Sequence, residues 1–377
     1  MNILIFLIIL LVLVLVHEFG HFFTAKKFGV RVDEFGFGFP PKLFSRRYGE
    51  TEYSFNLLPL GGFVKIFGEN PEAEQARYGA GPDEDRNRSF QYKAKWKQAI
   101  VLLAGVFANF LLAWLLFSFG FVSGFPASVG SGIKGYALQD VNLVIISVVS
   151  NSPAELAGLK SGDRIVSLKS LPAQAGGNED VSLINPDSFK SFITSRGSEE
   201  IEIGYARGKN DETSYAKLTP VASTADGELR IGIAMDQIGI AKLPFFAALW
   251  EGTKLTLSIT KDTAVGLYAL IVDGLQGKGS LVSITGPVGI VGIVGDAYQF
   301  GLVYLLSFSA LISINLAIIN LLPFPALDGG RLFFLLIEKI KGSRISPKVA
   351  NTANMIGFAV LILLMVFVTY HDIVKLF

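Results

Sequence analysis

The chain has 377 residues, of which 51% are hydrophobic and 17% charged, whereas an ordinary soluble domain carries about 25% charged residues. Its 33 basic and 32 acidic side chains leave a net charge of +1, a balance that argues against a nucleic-acid partner. It has no cysteine, which excludes disulfides and requires any zinc site to be built from His, Asp or Glu.

The first apolar run, about residues 2–24, is long enough to span a bilayer, and Leu4 to Val16 contains no polar residue. No Lys or Arg precedes the run and no small-residue cleavage signal follows it, so it reads as a retained membrane helix rather than a leader. Near its end stands His17-Glu18-Phe19-Gly20-His21, which uses two of the chain's three histidines. On a helix, residues four apart share a face, so both imidazoles can meet one metal ion. Glu18 stands beside them, within reach of a proton on an attacking water. Ionisable groups inside a membrane helix are costly and are functional by default.

Gly36-Phe37-Gly38-Phe39-Pro40 lacks the lysine of a phosphate loop and reads as a backbone turn. Residues 48–67 read as two short β runs broken by Pro59 and the Gly61-Gly62 pair. This stretch is apolar enough to lie against or dip into the membrane. Residues 70–90 are polar and punctuated by Gly and Pro, the composition of a loop. A second span covers about 98–121, completing an N-terminal membrane part over 1–122.

Residues 127–235 read as a small α/β domain. Val144-Ile145-Ile146 and Val148-Val149 form a strand, a capped short helix begins at Ser152-Pro153, and Ser161-Gly162-Asp163 turns into another strand. Residues 244–272 are helical in pattern but carry Glu251, Lys254, Lys261 and Asp262, with Asp273 just beyond, so they read as an amphipathic interfacial helix. The C-terminal membrane part, 285–377, holds spans at about 300–322 and 353–371.

Basic residues cluster at both ends of 25–97 and in 331–352, whereas 122–299 is poor in them near its ends. The positive-inside bias then puts 25–97 and 331–352 in the cytoplasm, and both termini with 122–299 outside. Four spans satisfy that pattern. A third metal ligand is expected from Asp328, in Asn320-Leu321-Leu322-Pro323-Phe324-Pro325-Ala326-Leu327-Asp328-Gly329-Gly330, because spans one and three both end at the cytoplasmic side. His371 closes the last span on the other side and reads as interfacial.

Together, HEFGH in span one, NLLPFPALDGG after span three, TGPVGI at Thr285 to Ile290 and the SPAELAGLKSGDRI wording of a PDZ domain resemble the site-2 protease family, in its bacterial regulator-of-sigma-E protease branch. The resemblance implies a polytopic α-helical membrane protein with four transmembrane helices, a membrane-reentrant β element and an inserted PDZ domain. It implies an intramembrane zinc metalloendopeptidase with one Zn2+ held by His17, His21 and Asp328, and with Glu18 as the catalytic carboxylate. Asn320 would steady the developing oxyanion. Asn315, Asn320, Pro323, Pro325, Gly61 and Gly62 would handle substrate, with the 48–67 element clamping an extended strand. Substrates would be single-span membrane proteins of the anti-sigma-factor or remnant-signal-peptide class, first cut by a site-1 protease, at the bacterial cytoplasmic membrane. The branch's best-known members carry two PDZ domains, and this chain has room for one. Two other readings of the residues stand beside this one: a membrane zinc transporter, and a non-catalytic PDZ scaffold.

Overall fold

A computed structural model describes residues 1–69, 86–131, 133, 135–171, 178–179, 185–208, 212–222, 228–277 and 285–374. The loop expected over 70–90 therefore falls, for 70–85, outside the described residues. The chain divides into two compact units.

The first unit comprises residues 1–118, 252–296 and 306–377. It opens with α1 (Asn2–Lys27), which continues one turn beyond the expected span, through Ala25-Lys26-Lys27, before Gly29, at φ +66°, ends it. β1 (Val32–Tyr48) and β2 (Thr51–Ile66) follow as an antiparallel pair turning at Gly49. Pro59 and Gly61-Gly62 do separate two runs, since 52–55 and 62–65 pair with opposite sides of 34–37. One expectation is corrected: Gly36 to Pro40 is strand rather than turn. The reason lies in alternation: Phe35, Phe37 and Phe39 take one face, and Gly36 leaves the other open. A Cβ on Gly36 would lie 2.4 Å from the Phe63 ring, so only glycine lets that ring seat.

Both strands bend, β1 near Pro40-Pro41, with register shifts between Phe39 and Lys42. Residues 34–37 consequently pair with 52–55 on one side and 62–65 on the other. Residues 61–66 are left as an edge, paired only with 32–37 among the described residues. Near the bend, Phe39, Leu43 and Phe44 are exposed, an apolar surface suited to lipid.

α2 (Lys95–Ser123) contributes residues 95–118 to this unit. It packs closely on α1 at Gly20, where a Cβ would fall 2.3 Å from the Ala104 carbonyl oxygen. Among the described residues five further helices complete the unit, wholly or in part: α5 (Phe245–Leu275), α6 (Pro287–Phe300), α7 (Leu302–Leu321), α8 (Asp328–Lys341) and α9 (Pro347–Val374). The buried Asp372 carboxylate of α9 accepts hydrogen bonds from the Gly286 and Gly289 amides, at 3.0 and 2.9 Å. It thereby caps the start of α6 from another helix. Among the described residues, α1, α2, α5, α7 and α9 are long and apolar enough to cross a membrane. The helix expected as interfacial is thus present, and its charges are too widely spaced to exclude it by composition.

The second unit comprises 119–251 and 297–305. It is built on a seven-stranded sheet with strands β3 (Phe125–Ser128), β4 (Gln139–Val148), β5 (Arg164–Leu171), β6 (Asn178–Glu179), β7 (Glu200–Ala206), β8 (Thr213–Leu218) and β11 (Ile233–Ala241). The spatial order is β3-β11-β4-β5-β7-β8, with β6 beside β5. β9 (Val221–Ala222) and β10 (Leu229–Arg230) form a separate short pair. The short helix α3 (Pro153–Leu156) starts at Ser152, whose side chain accepts from the Glu155 amide, as its sequence indicates. β4 is not buried throughout: Ile145 points to the core and Ile146 to the surface, the period of two expected of a half-buried strand. Ile145, Leu168, Ile201 and Ile203 pack against Phe189 and Phe192 of α4 (Pro186–Arg196). Asp163 is fully buried, bridged by Arg207 at 2.6 and 2.8 Å and by the Lys160 amide. Its burial is thus matched by both charge and hydrogen bonds.

Candidate metal centre and active site

The site lies entirely within the first unit. The helical spacing of His17 and His21 brings their Nε2 atoms to 3.2 Å from each other. Asp328 Oδ2 completes the triangle at 3.0 Å from His17 Nε2 and 3.2 Å from His21 Nε2. Both histidines are buried, and the Asp328 side chain is 17% exposed. Burial opposes ionisation of Asp328, but the two imidazoles beside it hold the carboxyl well below the usual carboxylate range.

Two features of the backbone put Asp328 there. It opens α8, and the next two residues are Gly329 and Gly330. A Cβ on Gly329 would lie 2.3 Å from the carbonyl oxygens of Leu321 and Leu322, and one on Gly330 would lie 2.1 Å from that of Phe324. The first turn of α8 therefore sits directly against the loop leaving α7. In that loop Ala326 takes φ +76°, a left-handed conformation costly for alanine. It is held there by Asn354 of α9, whose Oδ1 accepts from the Ala326 amide at 3.1 Å.

The donor set suits zinc. Two neutral imidazole nitrogens and one carboxylate oxygen are the three protein ligands of a catalytic site with one position left open, and these three groups lie within 4.8 Å of one another. His21 is already oriented for that task, since Nδ1–H donates to the Val101 carbonyl at 2.8 Å and leaves the Nε2 lone pair facing Asp328. The close approach of α2 is permitted by Gly105, where a Cβ would fall 2.3 Å from His21 Nε2.

Glu18, the three metal-ligand candidates and Asn320 line one cavity of about 330 Å³. Phe63 and Val64, from the unpaired edge of β2, line its other side. Gly62 backs onto Glu18, with the Cβ it lacks falling 3.7 Å from Glu18 Cγ. Asn315 is not in the cavity wall. It stands five residues before Asn320 on α7, about 140° around the helix, while Leu316, four before, shares the face and the cavity. Pro323 and Pro325 lie in the α7–α8 loop, outside the wall formed by Ala326 and Leu327. Gly61 packs beside Phe39 and Val14. His371 takes no part in the metal cluster.

Sequence reasoning passed over Asn109, Glu69 and Arg331, all of which line the cavity. Arg331 pairs with Glu69 across it. A signal was available for Arg331, which stands three residues after Asp328 on a helix and so shares its face. None was available for Asn109, whose part depends on how α2 packs against α1.

Residues 5–364 match the family model described as Peptidase family M50. The chain belongs to peptidase family M50. A zinc-metalloprotease relative from Clostridium perfringens is 33% identical over 96% of this chain and 95% of its own. The zinc metalloprotease RasP of Shouchella clausii is 31% identical over 99% of this chain and 98% of its own. The regulator of sigma-W protease RasP of Bacillus subtilis is 29% identical over 99% and 98%. Among solved structures, the PDZ domain of an SdrC-like protein from Listeria monocytogenes is similar at 24% identity and a TM-score of 0.20, over 25% of this chain and 86% of that one. This M50 protein is an intramembrane zinc metalloprotease with several apolar helices.

Proposed function

We propose that His17, His21 and Asp328 hold the zinc ion and that Glu18 is the general base for peptide-bond hydrolysis within or beside a transmembrane segment. The observation that carries this reading is the meeting of two imidazole nitrogens and a carboxylate oxygen within 4.8 Å, in the same cavity as Glu18. Bound zinc would lower the pKa of water and polarise the scissile carbonyl. Glu18 accepts the proton of the attacking water and delivers it to the leaving amine. The Asn320 amide donates toward the developing oxyanion.

A transmembrane helix hides its carbonyls in its own hydrogen bonds, so the substrate must unwind before it can be cut. The free edge at 61–66 receives the unwound segment by strand addition beside Glu18. Gly61 and Gly62 keep that edge thin, while Pro323 and Pro325 shape the loop carrying Asp328, and Asn315 contacts substrate farther along α7.

Four helices span the membrane, and α5 lies at its surface. Helix order supports this. His21 near the end of α1 meets Val101 near the start of α2, so these two helices run antiparallel. Asp328, just after α7, meets the end of α1, so α7 finishes on that same side. Between the end of α2 and the start of α7 the chain must therefore cross an even number of times, and α5 cannot cross alone. The basic segments 25–97 and 331–352 make that side cytoplasmic. Both termini and the 127–235 domain, which we read as a PDZ domain from its SPAELAGLKSGD sequence, lie outside. The enzyme resides in the bacterial cytoplasmic membrane, and its substrates are single-span proteins that an upstream protease has shortened. The name of the B. subtilis relative favours the anti-sigma-factor class over remnant signal peptides.

The test is Glu18→Gln in the full chain, assayed for zinc content and for cleavage of a single-span reporter. Zinc should remain while cleavage is lost; retained turnover would sink the proposal.

A further inference from the structure

Asn109 is completely buried on α2, and its Oδ1 has no hydrogen-bond partner among the described residues. A buried amide oxygen without a partner costs about 1–3 kcal/mol, so such atoms are rare. Its Nδ2 lies 3.4 Å from His17 Nδ1, and its backbone oxygen accepts from Ser313 Oγ of α7 at 2.9 Å, which fixes the position of the residue. Val101, Gly105 and Asn109 follow one another at intervals of four, forming a stripe on α2 behind both imidazoles. Val101 offers its carbonyl to His21, Gly105 lets the helix approach, and Asn109 faces His17.

For one ion to be bound by both Nε2 lone pairs, each imidazole must carry its proton on Nδ1, and each Nδ1–H then needs an acceptor. His21 has one in Val101. With Nδ2 turned toward His17 Nδ1, the His17 proton belongs on Nε2, where it is donated to Asp328 Oδ2 at 3.0 Å. That is the arrangement suited to the site without metal. A half-turn of the Asn109 amide exchanges its nitrogen and oxygen and moves no other heavy atom. Oδ1 then accepts from His17 Nδ1–H, the unpartnered oxygen is satisfied, and the Nε2 lone pair is freed.

We propose that Asn109 is a positioning residue that sets the tautomer of His17, donating to Nδ1 without zinc and accepting from it when zinc is bound. An amide suits both states because it carries a donor and an acceptor at interchangeable places. An aspartate could serve only the second state, and a leucine neither. The inference rests on His17 being a zinc ligand through Nε2, as proposed above.

The full-length protein in detergent provides the test, by chelator competition for zinc and by 15N spectra of labelled histidine, which contain only three residues' signals. Asn109→Leu, which keeps the volume, should weaken zinc binding about 10- to 100-fold. Asn109→Asp, which keeps an acceptor, should hold zinc at least as tightly as the parent. In the parent, the His17 proton should move from Nε2 to Nδ1 on zinc addition, while His21 keeps Nδ1–H throughout. A zinc-loaded parent with no proton on His17 Nδ1 overturns the inference, whether or not the variants fold. So does parental zinc affinity in Asn109→Leu when His17→Ala has lost it. If His17→Ala itself binds zinc like the parent, the ligand assignment fails instead.

Discussion

Asp328 Oδ2 lies 3.0 Å from His17 Nε2, although 311 residues separate the two in the chain. The contact joins the first helix to the start of α8, so the metal site closes only when both ends of the chain have folded together. Zinc should therefore stabilise the assembled membrane part as well as activate it, because a ligand that binds only the folded form shifts the folding equilibrium. Asp328→Asn keeps shape and removes charge. Its expected outcome is a zinc content well below the parent's and the loss of most zinc-dependent thermal stabilisation. Full zinc occupancy in that variant would remove Asp328 from the ligand set.

Gly329 makes a second prediction, one that concerns backbone and not ligands. With two carbonyl oxygens 2.3 Å from where its Cβ would stand, Gly329→Ala must push α8 away from the loop that precedes it. Overpacking of this kind costs about 1–3 kcal/mol, and here the displacement falls on the neighbour of Asp328. Zinc affinity should drop together with melting temperature. A variant that melts lower but binds zinc as before would show that Asp328 is positioned independently of this packing.

The wall of the cavity behind Glu18 is tested by Gly62→Ala. The added methyl would stand 3.0 Å from the Gly36 carbonyl oxygen, 3.1 Å from Leu15 Cδ2 and 3.7 Å from Glu18 Cγ. It should shift the edge strand and crowd the carboxylate, lowering the cleavage rate of a single-span reporter while zinc content stays at the parental level. An unchanged rate would mean that substrate does not use the 61–66 edge.

Acid should loosen the β pair through Glu34. Its carboxylate is buried, and although burial would raise its pKa, Lys65 at 2.5 Å, Ser54 and Lys42 bring it down to about 2 from an ordinary value of 4.5. The folded-state pKa is depressed, so the stabilisation is fully present above about 4.5 and is lost as pH falls toward 2. Amide exchange across 32–66 should accelerate over that window in the parent. Glu34→Gln should be less protected at neutral pH and should show a flatter acid profile; identical profiles in the two proteins would exclude Glu34 as the acid-sensitive group.

Much of the site is legible in the linear text because its groups are local. His17, Glu18 and His21 sit on one helical turn of an otherwise charge-free segment, and Asp328 precedes two glycines after another such segment. The β element is less legible. Its alternating Phe and Gly from Phe35 to Phe39 resemble a turn-forming run until Phe63 is seen to fill the space above Gly36. Asn109 carries no signal of its own, since a single Asn in an apolar helix fits many settings, whereas Arg331 is signalled only by its place three residues after Asp328 on one helix.

The sequence by itself determined the chemistry: apolar lengths that require a bilayer, a histidine pair at helical spacing, a carboxylate beside it and no thiol to compete. These are properties of composition and of one-turn periodicity, and they persist in any packing. Only the tertiary structure decided which groups complete the site. Helix packing brought Val101, Gly105 and Asn109 of α2 behind the imidazoles, and the bend in the β pair laid a free strand edge beside Glu18. Such placements depend on distances between segments far apart in the chain, and no local pattern of residues encodes those distances.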